Sequence, residues 1–196
     1  MNEAALIAAA RRDDLSAFNQ LVLAYQQLAY NLAYRVLGNE DGAMDATQDA
    51  FLRGYRAMHQ FRGGSFKAWI LRIVTNCCYD QLRARQRRPA APLDDILEDD
   101  EHSGLLENHG ERPEAQVERR ELGALIQAAI ATLPPDQRVV LVMSDIEAMT
   151  YQEISQAAMI SLGTVKSRLS RARAKVRDYL LSRKEQLPDG FRLRGG

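Results

Sequence analysis

Thr150-Tyr-Gln-Glu-Ile-Ser-Gln-Ala-Ala-Met-Ile-Ser-Leu-Gly-Thr-Val-Lys-Ser-Arg-Leu169 decides the fold class of this chain. Thr150 and Glu153 are spaced as a capping box: the threonine hydroxyl can accept from the Glu153 backbone N–H, and the glutamate can reach back to the Thr150 N–H. The short helix that starts there carries Ile154 and the small pair Ala157 and Ala158, where a second helix can approach closely. Met159 to Ser161 then makes a turn, and another helix begins. Two helices so joined are the layout of a helix-turn-helix, whose second helix enters the DNA major groove.

At about 100° per residue, Leu162, Val165, Leu169, Ala172 and Val176 of that second helix fall within a sector of about 80°. Ser167 and Arg171 point the opposite way, with Thr164, Ser170, Arg168 and Lys175 on the shoulders. Arg offers a bidentate match to guanine, Ser can donate to or accept from several base edges, and cations nearer the groove walls meet phosphates. A solvated amphipathic helix is the bland reading of any charged face, but the capped helix and turn ahead of this one favour DNA.

Upstream, Leu133-Pro-Pro-Asp-Gln-Arg-Val-Val-Leu-Val-Met-Ser-Asp-Ile-Glu147 places Pro at a helix start, followed by an apolar run too dense for a surface helix. It reads as the buried helix on which the DNA-binding pair is mounted. The rest is also helical in pattern, with apolar residues recurring at three and four and no alternating strands between paired turn signals. Helices are expected at about 3–12, 15–37, 41–59, 66–88, 114–132, 135–146, 150–158 and 162–182. The fold class is all-α. A basic helical end at Arg83 to Arg88 is stopped by Pro89 and Pro92, and Leu93 to Pro113 is acidic, with Gly104 and Gly110 and no sustained apolar period. The chain therefore divides into two small helical domains, 1–88 and 114–182, joined by an acidic flexible linker, 89–113, and followed by a tail, 183–196, expected to be mobile.

The 196 residues carry 26 Lys plus Arg against 26 Asp plus Glu, with 46% apolar residues, which excludes collagenous, low-complexity and fully disordered chains. No stretch approaches the roughly 18 uncharged apolar residues of a membrane span, and the first residues are acidic where a secretory signal would be basic, so a cytoplasmic protein without membrane insertion is expected. Neutrality hides an asymmetry: cations against acids number 12 against 8 in residues 1–88, 1 against 8 in 89–113, and 13 against 10 in 114–196. Two basic modules with an acidic strap is the reading. Cys77 and Cys78 are adjacent and have no metal-like spacing, so they read as small buried helix residues.

Two helices of the first module carry faces that plain scaffold does not explain. Over about 41–59, Met44, Phe51, Tyr55 and Met58 read as the inward face, whereas Asp45, Asp49, Leu52 and Arg56 lie together elsewhere. Like charges at i and i+4 cost a few tenths of a kcal/mol, which a basic partner would relieve while burying the leucine; an Asp49–Arg53 pair on a solvated face is the alternative. Over about 66–88, Ser65 is a plausible N-cap after Gly63 and Gly64, and Phe66, Ile70, Ile73 and Cys77 face one way. Arg72, Asn76, Tyr79 and Arg83 gather on another side with Trp69 at its margin. Aromatic rings, an amide and arginines together suit unpaired bases and their phosphates, although core packing explains Trp69 about as well. Arg85, Arg87 and Arg88 extend a basic tract that can ride along a duplex backbone or simply solubilise a helix end.

Taken together, these stretches resemble the bacterial RNA polymerase sigma factors of the extracytoplasmic-function group. Asp45-Ala-Thr-Gln-Asp-Ala-Phe-Leu-Arg-Gly-Tyr-Arg56 resembles the family's core-polymerase-binding helix, Phe66-Lys-Ala-Trp-Ile-Leu-Arg-Ile-Val-Thr-Asn-Cys-Cys-Tyr-Asp-Gln-Leu-Arg83 its −10 recognition segment, and Gly163-Thr-Val-Lys-Ser-Arg-Leu-Ser-Arg-Ala-Arg173 its −35 helix. The resemblance implies that Asp45, Gln48, Asp49 and Leu52 dock on the clamp coiled coil of core RNA polymerase. It implies that Arg62, Ser65, Trp69, Arg72, Asn76, Tyr79 and Arg83 handle promoter DNA at the −10 element, around a base whose extrusion costs a few kcal/mol. It gives the −35 element to Thr164, Lys166, Ser167, Arg168, Ser170, Arg171 and Arg173, in a module that also packs on the polymerase flap. The acidic linker would thread the active-site cleft and RNA exit path, and an anti-sigma factor is the regulator to expect.

Two other classes compete. A two-domain helix-turn-helix regulator that does not replace sigma would share Gly163-Thr-Val-Lys166, but it predicts a receiver or ligand domain upstream, and residues 1–88 lack a receiver's strand alternation. An enzyme would need a carboxylate or His constellation; the acids cluster in the linker or on one helix face, and His59, His102 and His109 have no ligand-like spacing. No catalytic residue, metal site or cofactor is therefore assigned.

Overall fold

The computed structural model describes residues 2–87 and 113–186, and among these it contains eight α-helices and no strand. Most of the expected linker 89–113, the end of the tail 183–196 and Arg88 lie outside the described residues.

In the first module, α1 (Glu3–Ala10) ends earlier than its sequence pattern because Asp13 takes a left-handed φ of 64° and Asp14 turns to cap the next helix. That helix, α2 (Leu15–Leu37), begins where the Asp14 side chain accepts from Ala17 N–H at 3.0 Å and ends at Gly38, with φ 77°. Asn39 then caps α3 (Glu40–Ala57) by accepting from Gly42 N–H at 2.8 Å, and a 3-10 turn, Met58–Gln60, follows it. Gly63 and Gly64, at φ 97° and 91°, carry the chain into α4 (Phe66–Arg87), where the Ser65 hydroxyl accepts from Ala68 N–H at 3.1 Å. Cys77 and Cys78 are buried within α4, and burial pushes the Cys78 thiol up to about 12.

Small residues set the packing here. Ala43, Ala46, Ala50 and Gly54 take the inward stripe of α3, and a Cβ on Gly54 would stand 3.1 Å from the Ile70 Cδ1 of α4. This is why Met44, expected inward, is 50% exposed: alanines at the close approach displace it to the outer face. Phe66 is fully buried beside Phe61 and Tyr25, and its truncation to alanine would cost about 3–5 kcal/mol.

The second module comprises α5 (Pro113–Ala131), α6 (Pro135–Leu141), α7 (Tyr151–Ala158) and α8 (Leu162–Ser182). Rather than one helix over 135–146, the apolar run forms α6 and then a π turn, Val142–Ile146. Val139, Val140, Leu141, Val142 and Met143 are all buried, which no single face of a regular helix can achieve; α2, α7 and α8 all pack on α6. The capping box of α7 is complete, with the Thr150 hydroxyl accepting from Glu153 N–H and the Glu153 carboxylate accepting from Thr150 N–H at 2.8 Å. Met159, left-handed at φ 54°, closes α7, and the Ser161 hydroxyl caps α8 at Thr164 N–H. Val165, Leu169 and Ala172 are buried as their spacing requires, but Leu162, in the first turn, is 43% exposed. At the C-cap of α8, the Arg183 guanidinium lies 3.9 Å over the Tyr179 ring, one turn back on the same helix.

The two modules share one continuous hydrophobic core. α7 packs along α4, and α2 packs against both α5 and α6.

Candidate functional site

Three faces gather the residues singled out by sequence. On α3, Asp45, Gln48, Asp49 and Leu52 are all exposed, Leu52 by 56%. Met44 joins them one turn before Gln48, so the face is an apolar stripe, Met44 and Leu52, edged by two carboxylates. Spacing alone placed Met44 in the core, and the signal that could have found it is the run of alanines already filling that side. Arg53 reaches Asp49 at 3.8 Å but binds Asp80 of α4 at 3.1 Å, leaving Asp49 loosely held and 60% exposed. An exposed pair of this length contributes at most a few tenths of a kcal/mol, so a basic partner can take Asp49 over at little cost.

On α4, Arg72, Asn76 and Arg83 are exposed along one side, and Arg83 turns toward Asp80 at 3.5 Å. Trp69 is half-buried, with its ring 5.3 Å from Phe61 and 5.5 Å from Phe66, an aromatic cluster that fixes its orientation. Tyr79 is half-buried too, and burial pushes its hydroxyl up, against the opposing field of Arg168 and with a smaller push from Asp136. Arg62 stands exposed in the loop that Gly63 and Gly64 shape, with Ser65 at its end engaged as the cap of α4. In the basic tract, Arg85 is drawn back to Asn39 Oδ1 at 3.1 Å, and Arg87 donates to the Arg83 carbonyl.

On α8, Lys166, Ser167, Ser170 and Arg171 are exposed, and among the described residues Arg171 makes no ion pair. Thr164 bonds the Ser161 hydroxyl at 2.9 Å, at the mouth of the turn. The other two arginines are already engaged. Arg168 is half-buried and pairs with Asp136 at 3.0 Å, while Arg173 grips Asp145 with both arms of its fork, at 2.9 and 2.6 Å. Arg173 holds the Asp145 carboxyl below its usual range, and Asp145 holds Arg173 firmly cationic. Arg173 thus fastens α8 to the π turn, a role that its place in a basic run does not disclose. Among the described residues, no group of three His, Cys, Asp or Glu could hold a metal ion.

Residues 21–88 match the Sigma-70 region 2 family model and residues 123–176 the Sigma-70 region 4 model. The chain is 33% identical over 175 residues to the ECF RNA polymerase sigma-E factor of Escherichia coli (strain K12), covering 88% of this chain and 91% of that protein. It belongs to the extracytoplasmic-function RNA polymerase sigma factors. Identity to the ECF sigma factor SigE of Mycolicibacterium smegmatis is 36% over 166 residues, which is 85% of this sigma factor and 62% of that longer relative. Among solved structures, CnrH in complex with the cytosolic domain of CnrY is similar at a TM-score of 0.67 and 26% identity, covering 93% of this chain and 99% of that one. Family membership sets aside both the non-sigma regulator and the enzyme.

Proposed function

We propose that this sigma factor directs promoter-specific initiation by docking on core RNA polymerase through α3, holding an extruded −10 base on α4 and reading the −35 element with α8. Residues 1–88 form the core-binding and melting module, 114–182 the −35 module, and 89–113 the acidic connector. The observation that carries this reading is the α3 stripe: two large apolar side chains more than half or half exposed, flanked by Asp45 and Asp49, is a surface waiting for a basic, partly apolar partner. The polymerase clamp coiled coil is that partner.

At the −10 element, Asn76 supplies edge hydrogen bonds, Trp69 and Tyr79 ring faces, and Arg62, Arg72 and Arg83 phosphate neutralisation. At the −35 element, Arg171, Lys166, Ser167 and Ser170 face the groove, with Arg171 free for a guanine. A cytoplasmic location suits this function, and no helix among the described residues is long and apolar enough to cross a membrane. CnrH was solved with the cytosolic domain of CnrY, and we infer a polypeptide partner of that kind here, an anti-sigma factor.

Asp49→Arg tests the docking face. It puts a cation where a carboxylate meets the clamp and sets it beside Arg53, so co-elution with core polymerase should be lost while helicity and −35 DNA binding by the C-terminal module persist. Normal affinity for core would remove α3 from the interface.

A further inference from the structure

We infer that this sigma factor carries its own latch: Arg138 and Gln127 of the −35 module complete the C-terminal cap of α2, and so hold the free chain in a closed form that cannot engage both promoter elements. The inference rests on the function proposed above.

The last four carbonyls of a helix have no partner within it. In α2 all four are satisfied, but only two from nearby in the chain. Tyr34 O accepts from Gly38 N–H at 2.8 Å and Leu37 O from the Asn39 side-chain amide at 3.1 Å. The other two are met across the module boundary: Arg35 O accepts from Gln127 Nε2 at 3.4 Å, and Val36 O from Arg138 Nη1. Arg35 returns the contact, donating from Nη1 to Gln127 Oε1 at 3.1 Å. Arg138 is also bound inside its own module, with Nη2 donating to Ala131 O at 2.7 Å and Leu133 O at 3.0 Å, at the end of α5. One guanidinium therefore bridges the negative ends of two helices from two modules, where a cation is favoured.

The closed form is opposed from within. Arg138 Nε and Glu147 Oε1 are buried without a hydrogen-bond partner, and burial holds the Glu147 carboxyl above its usual range although Lys67 and Arg35 of the first module are near. Both atoms regain water when the modules part.

Closure matters for DNA because of distance. A −10 and a −35 element lie about 25 base pairs apart, roughly 85 Å at 3.4 Å per pair. In the closed chain, Arg168 of α8 and its partner Asp136 lie near enough to Tyr79 of α4 for their charges to act on its hydroxyl, and α7 rides on α4. With the two modules sharing one core, both reading helices cannot then reach their elements.

The test uses the full chain free in solution. Wild type should show the radius of gyration of a compact chain of this length, about 16 Å by the globular scaling and somewhat more with its termini. Gln127→Ala with Arg138→Ala should raise it by several ångströms and tighten association with core polymerase roughly tenfold. Gln127→Ala alone, which leaves every bond of Arg138 in place, should shift both in the same direction by less, and it decides the matter if the double variant misfolds. Glu147→Gln should act oppositely, slowing core association while the chain stays as compact as wild type. Unchanged dimensions in the folded alanine variants, or an already extended wild type, would overturn the latch. These scattering measurements need no polymerase, so a failure of the sigma reading shows separately, as absence of core binding by wild type and variants alike.

Discussion

Two arginines two residues apart on α8 should behave as opposites. Arg173 forks onto Asp145 with side-chain exposures of 51% and 33%, so solvent screens the pair and its bidentate geometry puts it at about 1 kcal/mol, the upper end for a surface ion pair. For a chain of this size, that is a fall of roughly 2–4 °C in Tm for Arg173→Ala. Among the described residues Arg171 has no ion pair to lose, and its alanine variant should leave Tm within the scatter of a surface substitution. On DNA the ranking reverses: Arg171→Ala should cost about 1–3 kcal/mol, roughly five- to 150-fold in Kd for the holoenzyme, concentrated at one base pair of the −35 element. Arg173→Ala should weaken all −35 sequences equally and slightly. The pH dependence adds a check of sign. Asp145 is held below its ordinary 3.8, first by the Arg173 hydrogen bond, so the pair stabilises the fold above that pH and the contribution fades as pH falls through the depressed value. The Arg173→Ala deficit should therefore be full at neutral pH and close in acid. Thermal unfolding against pH, with anisotropy titrations over single-substitution −35 duplexes, measures both sides; a loss of preference at one base pair by Arg173→Ala at unchanged Tm would refute the assignment.

Leu52→Ala, at a side chain 56% exposed, should leave stability within about 0.5 kcal/mol and lower core affinity, read by thermal unfolding beside a polymerase co-elution assay. Thr150→Ala removes one half of the capping box and should cost about 1 kcal/mol, visible as earlier melting of the C-terminal helices. Gly54→Leu forces α3 from α4 at the 3.1 Å approach to Ile70, and overpacking of about 1–3 kcal/mol should appear in the denaturation midpoint together with weakened −10 single-strand binding, because the two helices lose their register.

Local chemistry was legible in the sequence, and long-range contact was not. The capping box, the Ser65 cap, the positive-φ glycines and the buried Val139–Met143 run all depend on residues a few positions apart, and the structure has them as the pattern implies. Met44 was misplaced because period alone cannot tell which of two apolar candidates faces a neighbour that alanines allow to come close. Arg173 and Arg168 look like their exposed neighbours in a basic run, and only Asp145 and Asp136, more than twenty residues away, distinguish them. Arg138 was illegible for a deeper reason: its partners are backbone carbonyls, which carry no side-chain signature, and the one across the modules ends a helix a hundred positions upstream.

A sigma factor must itself supply promoter choice. Purified full-length protein, added to sigma-free core polymerase with a library of promoter fragments, should yield transcripts whose start sites align behind one −35 and one −10 element, with Arg171→Ala altering the first and Asn76→Ala the second. No specific initiation from competent core would contradict it.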